Sequence, residues 1–200
     1  MNEIKVWDVF VRAAHWLLVL GFAVAYLSEG DPIWLHSWAG YIIAGVVLLR
    51  VLWGLVGTEH ARFSSFVKTP ATVVAYLLDL VRFRAKRHLG HSPAGGAMTL
   101  ALLILLGATA GFGMADLAIA KGEGPLSYWL PQTVAAGAGT GGDDGEGEGE
   151  RIRGPFKEVH EVLANITLAF VILHLSSVAL ASLAHRENLP RAMVTGRKRP

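Results

Sequence analysis

The 200-residue sequence contains no cysteine. That absence excludes a disulfide scaffold, thiol catalysis, cysteine-ligated zinc, iron–sulfur clusters and covalent cofactor attachment through C-x-x-C-H. Charge is also scarce. Asp, Glu, Lys and Arg make up 17% of the residues, against about 25% in ordinary soluble domains. The formal net charge of +2 is too small to argue for a nucleic-acid partner. Hydrophobic residues reach 52% and mean hydropathy is +0.43, so the chain has ample surface to bury and is not globally disordered. Length alone allows one or two domains. The distribution of apolar residues decides for an integral membrane protein.

A helix crossing the hydrocarbon core needs about 20 mostly apolar residues. Residues 13–28, 92–115 and 162–184 hold no Asp, Glu, Lys or Arg, and residues 32–58 are interrupted only by Arg50. Apolar–polar alternation is absent, so transmembrane strands fit poorly. The expected fold is all-α: an integral membrane four-helix bundle forming one domain over 1–200. Its spans fall at about 11–28, 34–56, 96–119 and 158–184, with a flexible acidic external loop over 120–157.

Basic residues set the orientation. The 59–91 loop carries Arg62, Lys68, Arg82, Arg84, Lys86 and Arg87. Lys5 and Arg12 flank the first span, and Arg186, Arg191, Arg197, Lys198 and Arg199 follow the last. The 29–35 turn has no Lys or Arg, and acids outnumber bases over 116–161. Both termini and the 59–91 loop are therefore expected in the cytoplasm. A cleaved signal peptide competes, because Ala23-Val24-Ala25 mimics a cleavage site. Against it, the start is weakly basic and includes Glu3, and the apolar run opens with His15 and Trp16.

Within 70–87, Val73, Val74, Leu77, Leu78 and Val81 recur at helical spacing before a basic end. That pattern predicts an amphipathic helix lying on the inner membrane surface. Residues 137–150 are glycine-rich and acidic, as a mobile external loop would be.

Ionisable groups inside a span are functional candidates by default. Of the eight histidines, His60, His88, His91 and His185 sit in or beside basic loops. His15, His36, His160 and His174 sit in the spans or at their ends. Fourteen residues separate the last two, which returns the second imidazole to within about 40° of the first, about 21 Å along the axis. Two ligands on one helix face at two depths imply two sites. His15, near the inner end of its span, matches His174, and His36, at the outer side, matches His160. Ala164, Thr167 and Val171 continue the face between the last pair, and small side chains there leave room for a flat macrocycle. Neutral imidazoles on opposite sides of a ring suit a six-coordinate haem iron used for electron transfer. Without cysteine the haem is non-covalent, hence b-type. Zinc prefers four converging ligands, which two separated pairs do not offer. Hydrogen-bonded core histidines, or a proton pathway of a transporter, are the competing readings.

An ordered set of motifs then stands out. It comprises Val6-Trp7-Asp8 with Arg12-x-x-His15-Trp16, His36-x-Trp38-x-Gly40-Tyr41, Arg50-x-x-Trp53-Gly54-x-x-Gly57, Ala61-Arg62-Phe63 and Gly90-His91-Ser92-Pro93-Ala94-Gly95. The tail adds Arg186-Glu187-Asn188-Leu189 and Ala192-Met193-Val194-Thr195-Gly196-Arg197-Lys198. On these the chain resembles the prokaryotic cytochrome b561 family, which is similar to the b-type cytochrome subunits of nickel–iron hydrogenases. The resemblance covers nearly the whole sequence. It implies a four-helix electron-transfer protein of the bacterial inner membrane with two haem b groups, one held by His15/His174 and one by His36/His160. Ser92 departs from the family pattern, which usually has asparagine there, and the 137–150 insert is not part of it.

Further residues have paired readings. Arg50 is the one full charge within the apolar runs 13–28, 32–58, 92–115 and 162–184. It either partners a haem propionate and tunes potential or snorkels to the inner interface. Arg12 and His91 are propionate candidates against an ordinary interfacial role. Trp16, Trp38 and Trp53 line haem pockets or form an aromatic belt. Gly40 falls in a pocket motif, although Gly40, Gly45, Gly107, Gly111 and Gly113 are read chiefly as helix-packing positions. The leading function is transmembrane electron transfer between the quinone/quinol pool and a redox partner such as a c-type cytochrome. The acidic 143–150 run would steer such a partner by charge or would simply be a solvated loop. The alternative is a membrane-anchor and electron-wiring subunit of a larger, hydrogenase-type enzyme. Glycine-bearing helix faces are also compatible with a homo-oligomer.

Overall fold

The computed structural model describes residues 3–28, 31–130 and 148–199, with the backbone alone for 148–153. In chain order the elements are β1 (Ile4–Lys5), α1 (Val9–Ser28), α2 (Ile33–Val56), α3 (Phe63–Phe66) and α4 (Pro70–Val81). They continue with α5 (Pro93–Lys121), α6 (Glu148–Ala184), α7 (Leu189–Thr195) and β2 (Arg197–Lys198). The fold is all-α apart from one two-residue strand pair. Four helices are long and apolar enough to cross a membrane: α1, α2, α5 and the Gly154–Ala184 part of α6. Their outward faces carry exposed Leu20, Val56, Ile104 and Leu183, and Leu27 is 81% exposed. In water such surface would drive aggregation; lipid tails match it.

Local chemistry sets the helix starts. Asp8 precedes α1, and its Oδ1 accepts the Val11 N–H at 2.8 Å, as an N-cap does. Pro93 opens α5, where a missing N–H costs nothing. Ser92 Oγ accepts the Gly95 N–H at 3.1 Å. Serine thus caps this helix.

The last helix departs from the expected loop over 120–157. Residues 148–157 are helical and continuous with the span, so that α6 runs for 37 residues. Glu, Arg and Lys are good helix formers, and Lys157 pairs with Glu161 one turn on, at 3.7 Å. Pro155 sits inside this helix and removes one backbone donor without ending it. Of the acidic 143–150 run, only the backbone of 148–150 is described; the rest lies outside the described residues, as does most of the 137–150 insert.

The chain divides into two compact units, each drawing on all four long helices. Unit 1 comprises Met1–Leu20, Gly45–Ile104 and Leu168–Pro200; unit 2 comprises Gly21–Ala44 and Leu105–Thr167. In unit 1 the chain termini are clasped. β1 and β2 pair antiparallel, with Ile4 opposite Lys198 and Lys5 opposite Arg197. The Val6 and Trp7 N–H groups both donate to the Gly196 carbonyl, at 2.8 and 3.1 Å. Gly196 ends α7 at φ +77, and a Cβ there would lie 2.7 Å from the Trp7 carbonyl oxygen, so glycine is required twice over. Beneath the clasp lies a core of Val6, Trp7, Val11 and Ala61, flanked by Trp53 and Met193.

Also in unit 1, Thr69 caps α4 and Pro70 opens it. Tyr76 and Leu80 are buried, whereas Val74, Leu77, Leu78 and Val81 are exposed. This is the amphipathic division expected of a helix at a membrane surface.

Asp8 ties α1 to the far end of α2. Its Oδ2 accepts from the Trp53 indole N–H at 3.1 Å and the Thr58 hydroxyl at 2.6 Å. Burial works to raise the carboxyl pKa, but the hydrogen bonds from Thr58, Val11 and Trp53 outweigh it and hold Asp8 below its usual 3.8. A lowered folded-state pKa contributes stability that is present above the unfolded value and lost as pH falls through the folded one. Asp8→Asn is therefore expected to lower the melting temperature in detergent at neutral pH, at a cost on the order of 1 kcal/mol per weakened hydrogen bond. The gap to the parent should close below the ordinary carboxylate range. A gap unchanged from neutral to acid pH would refute this role for the charge.

Candidate functional site: two histidine pairs

In unit 2, His36 near the start of α2 faces His160 of α6, with ring centroids 5.8 Å apart and planes at 80°. Each ring is oriented by the backbone of a further helix. His36 Nδ1–H donates to the Ala25 carbonyl of α1 at 2.9 Å, and His160 Nδ1–H donates to the Thr109 carbonyl of α5 at 2.9 Å. This leaves both Nε2 atoms as lone-pair donors. Ligating histidines characteristically give their second N–H to such an acceptor, which fixes the tautomer and raises basicity.

Beside the pair lies an apolar cavity with about 420 Å³ of empty space, counting its open mouth, lined by Phe22, Gly40, Leu106, Ala110 and Ala164 among others. A Cβ at Gly40 would meet nothing within 4 Å, so this glycine contributes room. Thr167 is fully enclosed; its hydroxyl donates to the Leu163 carbonyl at 2.7 Å and lies 3.2 Å from the Thr109 hydroxyl. It packs α6 against the helix whose carbonyl orients His160.

In unit 1, His15 of α1 faces His174 of α6, with centroids 6.5 Å apart and planes at 58°. His15 Nδ1 is buried without a hydrogen-bond partner. Trp16 stands edge-on to His15 at 5.2 Å while remaining largely exposed. Two imidazoles that ligate one ion from opposite sides, at metal–nitrogen distances of about 2 Å, place their centroids about 6 Å apart. Both pairs meet that spacing. Among the described residues no cluster of three or more His, Asp or Glu could hold a metal ion, so each pair would offer two imidazoles to a group that brings its other donors with it. The residues fit a planar tetradentate macrocycle.

The other sequence candidates divide. Arg50 is only 4% exposed; its Nη2 donates to the Ala61 carbonyl at 3.2 Å and Nη1 has no partner. Arg12 donates through Nη1 to the Val194 carbonyl, and its Nε is buried and unpartnered. His91 is wedged between Trp7 and Phe66, at 4.6 and 4.3 Å, with Nδ1 enclosed. Burial, reinforced by repulsion from Arg50 and Lys198, pushes its pKa down and keeps the ring neutral. Trp53 is held by Asp8 and packs on Phe10 at 5.0 Å. Trp38 is mostly exposed and meets Tyr41 edge-on at 5.9 Å.

Sequence reasoning missed Gly113. A Cβ there would lie 2.8 Å from His160 Cε1 and 2.9 Å from Nδ1. The glycine read as a helix-packing position instead seats an imidazole, whereas Gly40, Gly45 and Gly111 have open space at that point. The Ala25 and Thr109 carbonyls were also missed, since a backbone acceptor leaves no mark in residue type.

Comparison with known proteins gives one match. The sequence profile of the family described as prokaryotic cytochrome b561 covers residues 6–196. No curated protein and no solved structure matches.

Proposed function

The chain belongs to the prokaryotic cytochrome b561 family, whose members transfer electrons in the membrane on b-type haem, and from that premise we propose a transmembrane path with two haems, one per histidine pair. His15 and His174 hold one, and His36 and His160 the other. The observation that carries the reading is the pair geometry: two facing imidazole pairs at 5.8 and 6.5 Å, each complete within its own compact unit. When bound, the haem iron supplies a reversible one-electron step. The chain supplies everything else. With one imidazole on each side, a pair would close a bound haem iron to substrate and keep the site to electron transfer. The Ala25 and Thr109 carbonyls hold the His36 and His160 rings in one orientation. Apolar lining from Phe22, Leu106 and Ala110 excludes water, and the small Gly40 and Ala164 leave room for a flat ring.

The electron donor in this reading is a membrane quinol and the acceptor a c-type cytochrome or other redox subunit, with the direction open to reversal by potential. The membrane is the bacterial inner membrane, with both termini and the 59–91 loop cytoplasmic. The basic residues flanking α4 and following α6 support this orientation, and the β1–β2 clasp is compatible with it.

The test is a reduced-minus-oxidised spectrum with haem quantification on the purified chain. Two b haems per chain are expected, both reducible by added quinol. A colourless preparation, or a single haem, would overturn the reading. A second subunit that co-purifies and is required for quinol oxidation would replace the self-standing role with that of a membrane anchor.

A further inference from the structure

Unit 1 holds an electrostatic imbalance that its own residues do not resolve. Arg50 is buried in the interior of α2, in an apolar setting of Phe63, whose ring lies 5.5 Å from the guanidinium carbon. It makes one hydrogen bond, to the Ala61 carbonyl, and leaves Nη1 unpaired. Arg12, one turn before His15 on α1, likewise leaves Nε buried and unpaired. Among the described residues neither has a carboxylate within 4.0 Å. The nearest candidate, Asp8, attracts Arg50 at longer range but spends its oxygens on Val11, Trp53 and Thr58. Arginine stays charged in proteins. An enclosed guanidinium with an unmet donor costs several kcal/mol unless an anion joins it, and an intramembrane charge calls for a named partner.

We propose that Arg50 and Arg12 form a carboxylate-binding site for the propionates of the porphyrin held by His15 and His174, and that this charge sets the midpoint potential of that centre above the potential of the His36/His160 centre. The inference rests on the two-haem reading and deepens it. A fixed cation beside a redox centre favours the electron-rich, reduced form. The fork of a guanidinium matches a carboxylate, with two donors in one plane. His91, kept neutral among Trp7 and Phe66, adds bulk rather than charge. Unit 2 is built the opposite way. Among the described residues Arg50 and Lys198 are buried in unit 1, as is the Glu187 side chain, whose charge is met by Arg87 at 2.6 Å. In unit 2 both axial imidazoles donate to carbonyls, which makes them more basic and favours the oxidised metal. The two effects order the potentials in the same sense, so electrons reside preferentially on the His15/His174 centre.

The experiment is a spectroelectrochemical titration of the haem-loaded parent, Arg50→Met and Arg50→Lys, with the His160→Ala background assigning the two waves. Arg50→Met should shift the reduction equilibrium of the His15/His174 centre at least tenfold toward the oxidised form, about 59 mV for one electron. The other wave should stay in place, and Arg50→Lys should recover most of the loss. Equal movement of both waves, or of neither, would overturn the proposal. A second arm loads the parent and Arg50→Met with haem or with its dimethyl ester. Esterification should weaken retention in the parent at least tenfold and have little further effect in Arg50→Met. Equal weakening in both would overturn the carboxylate assignment, and a midpoint in the parent that follows added phosphate or anionic lipid would assign the site to those anions instead. Because the ester arm includes the unaltered chain, poor folding of a variant does not remove the test. A parent with fewer than two haems would defeat the two-haem reading; two haems with unmoved waves would defeat this inference alone.

Discussion

Alanine at His36 and alanine at His160 are expected to remove one and the same haem. Each variant should bind one haem per chain where the parent binds two, and the residual spectra of the two variants should superimpose. His15→Ala and His174→Ala should give the complementary spectrum. The physical ground is that each ring meets one partner at about ligation distance, 5.8 Å for one pair and 6.5 Å for the other. Removing one ring would leave the other imidazole as the chain's one donor to that haem, with loss of the low-spin signature expected for that centre. Combining both alanines within a pair should cost nothing more, because the site is already empty of its function. Combining one from each pair should abolish haem. Haem quantification and absorption spectra on the purified variants decide it. If the His36 and His160 variants lose different haems, the pairing is wrong whatever the total.

The second large effect concerns a residue with no polar atom of its own. Gly113→Val is expected to unseat the haem of unit 2 while leaving that of unit 1. Even the first carbon of a side chain would press on His160 at 2.8 Å from Cε1, nearer than carbon atoms tolerate, and the ring cannot retreat without giving up its 2.9 Å bond to the Thr109 carbonyl. Overpacking of this kind costs about 1–3 kcal/mol, and disturbing the group that orients a ligating histidine lowers metal affinity about 10–100-fold. Gly113→Ala should therefore weaken haem retention within that range, and Gly113→Val should exceed it. Gly111→Ala is the matched control, since a Cβ there has nothing within 4 Å. Equal behaviour of the 111 and 113 variants would show that the effect belongs to the helix and not to the imidazole.

How much of this was readable beforehand follows from the range of the forces involved. The spans were legible because hydrocarbon selects long charge-free runs, and such runs survive in the sequence whatever surrounds them. The assignment of His174 to His15, and of His160 to His36, was legible because helical geometry converts a fourteen-residue spacing into depth and direction. Contacts between distant segments were not. Nothing local tells that the second oxygen of Asp8 reaches Trp53 and Thr58. Gly113 shares its residue type with Gly111, yet only the former abuts a ring, a distinction made by the position of α6. The start of α6 was not legible because a glycine-rich acidic stretch runs directly into the helix-forming residues that open it. Arg50 was flagged by its charge, but its lack of a counter-ion became visible only when the surroundings were in place.

The division of the chain into two units also bears on the order of manufacture. Residues 21–44 and 105–167 contain every group around His36 and His160. That pocket has its full complement while the C-terminal end of the polypeptide is still being made. His15 waits for His174, Arg12 waits longer, for Val194, and Val6 and Trp7 wait for Gly196. The groups around His36 and His160 are thus all encoded before Val194 and Gly196, the residues on which the chain's two ends close.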